Sequence, residues 1–156
     1  TATKTADALR DIVWFIQPEN DNAEKIRNRI IHFTHQILYS NEIQMQIDPH
    51  LFQDNLPLTT KRNIYLILKE CLNNIKKHAE ANQVTVQIKE NQYEIHMTIT
   101  DNGKGFQPEA NHHGNGIYSI KKRTRQMNGQ LKIQSDKSYG TKIDLTVPIK
   151  YAKGKK

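Results

Sequence analysis

The chain has 156 residues, of which 36% are hydrophobic and 25% charged, enough for one ordinary domain with a real core and far from low-complexity or collagen-like composition. It holds one cysteine, Cys71, which excludes an internal disulfide or a cysteine-based zinc site and points to a reducing compartment. The formal charge is +7, but Lys150, Lys153, Lys155 and Lys156 fall in the last seven residues, so more than half of the excess belongs to a tail that reads as a solvated linker.

No run of about 18 apolar residues exists to span a membrane. No signal peptide is visible, and the chain opens Thr1-Ala2-Thr3-Lys4 without an initiator methionine, so a piece of a larger protein is expected.

Residues 5–16 read as a helix end. Leu9, Ile12, Val13 and Ile16 recur at helical spacing, and Pro18 stops the run. Trp14 and Phe15 are expected on the surface beside that stripe. The resulting apolar area calls for a partner, such as another chain. Residues 21–40 predict a second helix, capped by Asp21 or Asn22, with Ile26, Ile30, Phe33, Ile37 and Leu38 on one face. Residues 43–48 alternate as a half-buried strand.

After a loop carrying Pro49 and Pro57, a long helix is predicted from Thr59 or Thr60 to about Ala81. Ile64, Leu68, Cys71, Leu72 and Ile75 form its core stripe. Glu70, Asn74 and Lys77, spaced i, i+4, i+7, form a second stripe beside it. That stripe reads either as a solvated charged face or as a nucleotide site. For the second, an amide oxygen suits Mg2+, an ammonium suits phosphate, and a carboxylate can orient or deprotonate an attacking group.

Residues 83–89 and 93–100 predict a hairpin. On the second strand Tyr93, Ile95, Met97 and Ile99 share one parity, and Asp101 falls on the same apolar side. A carboxylate turned inward there needs donors, either a cap from the N–H of Gly103 or Lys104 or the exocyclic amine of a bound base. Gly103 and Gly105 follow at once and would let a planar ring approach the backbone.

Residues 102–116, with Gly103, Gly105, Gly114, Gly116 and Pro108, read as a long loop. A helix over 115–127 follows, opened by Gly114-Asn115-Gly116-Ile117 and closed by Asn128-Gly129. Free N–H groups at such a start attract anions. A last hairpin is predicted over 130–135 and 141–148, with Thr141 on the inward parity of Ile143, Leu145 and Val147. The fold class expected is α+β: a two-layer sandwich, with helices on one face of a mixed, mostly antiparallel sheet.

The four clusters occur in one order. Glu70-x-x-x-Asn74-x-x-Lys77-His78, Asp101-Asn102-Gly103-Lys104-Gly105-Phe106, Gly114-Asn115-Gly116-Ile117 and Gly140-Thr141 resemble the asparagine box, the two glycine boxes and the final motif of one family. That family is the catalytic ATP-binding domain of sensor histidine kinases, within the gyrase, Hsp90, histidine kinase and MutL superfamily. The forms Asn-x-x-Lys-His and Asp-Asn-Gly-x-Gly-Phe are similar to its nitrate- and desiccation-sensor subfamily. Leu9-Arg10-Asp11-Ile12-Val13-Trp14 resembles the end of that subfamily's second dimerisation helix.

The resemblance implies a Bergerat sandwich and three segments. These are residues 1–18, the end of a dimerisation helix and linker; 19–149, the ATP-binding catalytic domain; and 150–156, a basic tail. It implies ATP and Mg2+ as ligands. Asn74 would hold the metal, and Lys77 and His78 would belong to the nucleotide site, Lys77 reaching a phosphate. Asp101 would accept from the adenine amino group, with Gly103 beside it and Gly105 packing on the ring. Gly114, Asn115, Gly116 and Ile117 would close a lid with backbone N–H groups near the phosphates. Thr141 would hold a water shared with Asp101. Glu70 is the general base in the superfamily's ATPases.

The resemblance also implies dimerisation and phosphoacceptor helices, a response regulator and a homodimer as partners, with no nucleic acid expected. The location implied is the cytoplasmic side of a membrane-anchored bacterial sensor. Three departures stand out. Ile117 replaces a commoner Leu, and Asn128-Gly129 replaces Gly-Gly. No phosphoacceptor histidine precedes the domain, so this chain is expected to bind ATP without phosphorylating itself.

The histidines carry weaker signals. His32 and His35 are an i, i+3 pair without a third metal ligand, and His112-His113 fall in the expected lid. Cys71 reads as a small buried hydrophobe. Two other functions remain. One is a basic nucleic-acid-binding module, based on Lys121, Lys122, Arg123 and Arg125, although no helix-turn-helix or aromatic platform accompanies them. The other is an anti-sigma-type serine kinase of the same superfamily, against which the Leu9–Trp14 segment argues.

Overall fold

A computed structural model describes residues 2–52, 56–106 and 116–149. Gly114 and Asn115 lie outside the described residues, as do His112, His113 and the basic tail 150–156.

Helix α1 (Ala2–Ile16) leads through a 3-10 turn (Pro18–Asn20) to α2 (Ala23–Ile37). Asn22, rather than Asp21, caps α2, its side chain accepting from the Lys25 N–H at 2.9 Å. Asp21 instead takes the buried ammonium of Lys61 at 2.8 Å. Strand β1 (Glu42–Ile47) precedes α3 (Leu58–Asn74), which runs into a π-helical turn (Ile75–Ala79) closed by Glu80 in the left-handed region. Then follow β2 (Gln83–Glu90), β3 (Glu94–Asp101), α4 (Gly116–Gln126), β4 (Gln130–Asp136) and β5 (Gly140–Pro148).

The five strands form one sheet in the order β1-β2-β3-β5-β4. β1 pairs parallel with β2, and every other pair is antiparallel. A parallel neighbour requires a crossover, and α3 with its flanking turns supplies it. Strand alternation dictates which side is covered. Val84, Val86 and Ile88, Ile95, Met97 and Ile99, and Ile143, Leu145 and Val147 are all buried. Ile64, Ile67, Leu68, Cys71 and Leu72 of α3 meet them, the predicted core stripe of the helix. Asn128, at φ 54°, provides the left-handed residue that ends α4, and the Gly129 N–H closes back on Thr124 at 2.9 Å.

The expected orientation of α1 is reversed. Phe15 is buried and Trp14 half-buried, whereas Leu9, Ile12, Val13 and Ile16 are 47–65% exposed. The reason is a set of partners distant in sequence. Phe15 packs on Tyr65, their centroids 5.5 Å apart. Asp11, also buried, accepts from Arg29 of α2 at 3.0 Å and from Lys69 of α3 at 2.5 Å. The Arg29 guanidinium lies between Trp14 (4.4 Å) and Tyr65 (5.5 Å). Burial, with the nearby Asp11 charge adding to it, pushes the Tyr65 hydroxyl up to about 12.

Candidate functional site

Asp101 ends β3 opposite Thr141 of β5 and Val84 of β2. Period-two alternation turns its carboxylate to the core side, and the residue is 4% exposed. Its Oδ1 accepts from the Gly103 N–H at 2.8 Å, the cap that the sequence offered as one alternative. Burial raises its carboxyl above the usual Asp value, and the Gly103 and Thr141 amides oppose that shift.

The surrounding glycines are required by close backbone approach. A Cβ on Gly103 would stand 2.2 Å from the Ala79 carbonyl oxygen, and one on Gly140 would stand 2.1 Å from that of Asp101. Gly140 also has φ +102°, and Gly105, at φ +67°, lies against the Asp136 backbone. The Lys104 N–H donates to the Ala79 carbonyl at 2.8 Å. The segment after Asp101 is thereby fastened to the end of α3.

Thr141 is buried, and its hydroxyl lies 2.8 Å from Ser135 Oγ. Ser135 also accepts from the Phe106 N–H at 2.8 Å. Ser135 was not among the expected site residues. Its parity with Leu131 and Ile133 was the available signal. Ala79 carried no local signal, since its role depends on Gly103, 24 residues later.

The second meeting point joins α3 and α4. A Cβ on Gly116 would stand 2.5 Å from Glu70 Oε1 and 3.5 Å from Asn74 Oδ1. Glu70 and Asn74, one helical turn apart, thus turn two oxygens toward one point at the start of α4. Such hard oxygens suit a divalent cation. Ile117 beside them packs on the core.

Lys77 and His78 fall in the π turn and are exposed. The turn changes the helical phase after Asn74, so the i, i+4, i+7 spacing of a straight helix no longer fixes the direction of Lys77. His32 and His35 are exposed on α2. Cys71 is fully buried, which raises its thiol well above the ordinary value. Two hollows of about 380 and 270 Å³ lie elsewhere, along α4 and its seam with α3.

Residues 59–151 match the family described as histidine kinase-, DNA gyrase B-, and HSP90-like ATPase. Sensor histidine kinase YdfH of Bacillus subtilis (strain 168) is 37% identical over 128 residues, covering 80% of this chain and 31% of its own length. The signal transduction histidine-protein kinase/phosphatase UhpB of Salmonella typhimurium is 26% identical over 149 residues, covering 93% of this chain and 29% of its own. The chain therefore spans less than a third of either relative. The histidine kinase domain from the Erythrobacter litoralis EL346 blue-light activated histidine kinase superposes with a TM-score of 0.66 at 16% identity, over 81% of this chain and 60% of that one. That likeness shows a shared α+β fold.

Proposed function

The chain belongs to the histidine kinase-, DNA gyrase B- and HSP90-like ATPase family, and on that premise we propose that it binds Mg-ATP and presents the γ-phosphoryl group to a histidine of a dimerisation domain in two-component signalling. The observation that carries this reading is the joining of two half-sites through the end of α3. Glu70 and Asn74 face Gly116 on one side, while Ala79 braces the Asp101–Gly103 turn on the other.

In this reading Asp101 accepts a hydrogen bond from the exocyclic amine of adenine. Gly103, Gly105 and Gly140 let the backbone of Ala79, Asp136 and Asp101 close in around that carboxylate and so fix its position for the base. Thr141, held by Ser135, orients a water between Asp101 and the base. Asn74 offers an amide oxygen to Mg2+, and Lys77 and His78 reach toward the phosphates. Backbone N–H groups of Gly114, Asn115, Gly116 and Ile117 meet the phosphate charge. When bound, Mg2+ would neutralise charge on the phosphates.

Glu70 acts as the polar group that orients the acceptor. Phosphoryl transfer asks mostly for positioning and charge stabilisation, which these residues supply without a covalent intermediate. The partners of this reading are a phosphoacceptor helix, a response regulator and a second copy of the whole protein. Its location is the cytoplasmic side of a membrane-anchored bacterial sensor. Among the described residues no helix is long and apolar enough to cross a membrane.

The test is titration of a fluorescent ATP analogue with and without Mg2+. Binding is expected to need Asp101, to be abolished by Asp101→Asn and to be weakened by Asn74→Asp. Unchanged affinity in Asp101→Asn would refute the assigned pocket.

A further inference from the structure

Five cations line α4 and the adjoining start of α3. Lys121, Lys122, Arg123 and Arg125 stand on α4, whose eleven residues include no carboxylate, and Arg62 stands on α3. Among the described residues none of the five is ion-paired. Among the described residues only Arg123 of the five has a side-chain hydrogen bond, donated from Nη1 to the neutral amide oxygen of Asn63 at 2.9 Å. Asn63 is itself buried and its amide nitrogen lies 3.4 Å from Gln126 Oε1.

The surface is concave there, first along α4 itself and then where the start of α3 meets the end of α4. One hollow, of about 380 Å³, is lined by Tyr118, Lys122 and Arg123, and the next, of about 270 Å³, by Thr59, Thr60, Arg62 and Asn63. Gln126 borders both, and no carboxylate lines either. Arg123 is half-buried in this seam. Its burial and the like charge of Arg62 both weaken its hold on the proton, with Glu70 only partly opposing them. A partly desolvated guanidinium beside another, with a neutral amide as its hydrogen-bond partner, is electrostatically incomplete.

We propose that the α3–α4 seam docks an acidic segment of a partner protein, with a protruding Asp or Glu carboxylate between Arg62 and Arg123 and neighbouring acids on Lys122. Guanidinium groups present a planar fork that matches a carboxylate. Exposed Tyr118 beside them adds a residue type that anchors protein interfaces. Shape selects protein over duplex DNA. A major groove accepts a protruding helix, whereas here Arg62 and Arg123 are half-buried and α4 lies along α3, with Gly116 beside Glu70 and Arg123 beside Asn63.

The experiment uses the full chain and a fluorescein-labelled peptide alternating Glu with small apolar residues, read by anisotropy at about 0.15 M salt. The double variant R62Q/K122Q breaks no hydrogen bond or ion pair among the described residues and is expected to weaken binding by about tenfold or more. The variant K89Q/K132Q removes the same charge from the solvent face of the sheet and is expected to change affinity by less than about twofold. Unchanged binding of the ATP analogue by R62Q/K122Q marks the loss as local and separates this surface from the nucleotide reading. The proposal is overturned if the peptide does not bind, if both double variants weaken it equally, or if R62Q/K122Q also loses the analogue. Tighter, R62Q/K122Q-sensitive binding of random duplex DNA would overturn it too.

Discussion

Gly116 faces Glu70 so closely that a side-chain carbon on the glycine would stand 2.5 Å from the glutamate Oε1. The first residue of α4 and the polar stripe of α3 therefore share one point in space. The obstructing atom is the far end of a flexible side chain, so Gly116→Ala is expected to fold, with Glu70 swinging aside. Its melting temperature should move by only a few degrees, about the size of a 1 kcal/mol change. Affinity for the ATP analogue should fall by about tenfold as the Glu70–Asn74 pair is displaced. Calorimetry and the fluorescence titration, run together, check the split between the two effects.

Gly103→Ala and Gly140→Ala should behave differently, because backbone stands in their way. The Ala79 carbonyl oxygen is 2.2 Å from the first new carbon, and the Asp101 carbonyl oxygen is 2.1 Å from the second. At Gly140 the φ of +102° adds conformational strain. Each substitution is expected to cost about 2 kcal/mol or more of stability, measured by urea denaturation.

The contrast between these glycines bears on what the sequence alone could reveal. The inward parity of Asp101 and Thr141 was legible because strand alternation is local, and both are buried as that parity requires. The core face of α3 was legible for the same reason, from Ile64 to Leu72. The face of α1 was not. Asp11 is buried because Arg29 and Lys69, 18 and 58 residues away, meet its carboxylate. A helical stripe of apolar residues cannot announce that a charged neighbour will win the interior. The π turn after Asn74 was hidden likewise, since its end is tied to Gly103 and Lys104 of a later loop.

Asp11 permits a direct energetic test of that tertiary override. Its side chain is 4% exposed and holds Arg29 and Lys69 at once. Removing it leaves two partly buried cations without their anion, and a broken buried pair costs about 3–5 kcal/mol. Asp11→Ala should lie in that range by urea denaturation. Amide exchange of α1 should quicken more than that of β3, since α1 is held by this cluster and by Phe15 on Tyr65.

The Asp101 carboxyl is raised by burial above the usual 3.8, against the pull of the Gly103 and Thr141 amides. A carboxyl whose folded pKa exceeds its unfolded one binds more protons in the fold. Its contribution to stability is therefore full below the unfolded pKa and is lost as pH rises through the folded one. Carbon-13 NMR titration of the Asp101 carboxyl should show a midpoint above that of an unfolded Asp. The Asp101→Asn variant should lack this part of the stability slope in melts taken between about pH 3.5 and 7.

The most direct test of the nucleotide reading is an amide NMR titration of the chain with Mg-ATP. The expected perturbations centre on Asn74, Asp101, Gly103, Gly105, Gly116 and Thr141, and fade toward β1 and α1. Perturbations confined to another surface, or none at saturating Mg-ATP, would contradict a nucleotide cleft built on Asp101 and Asn74.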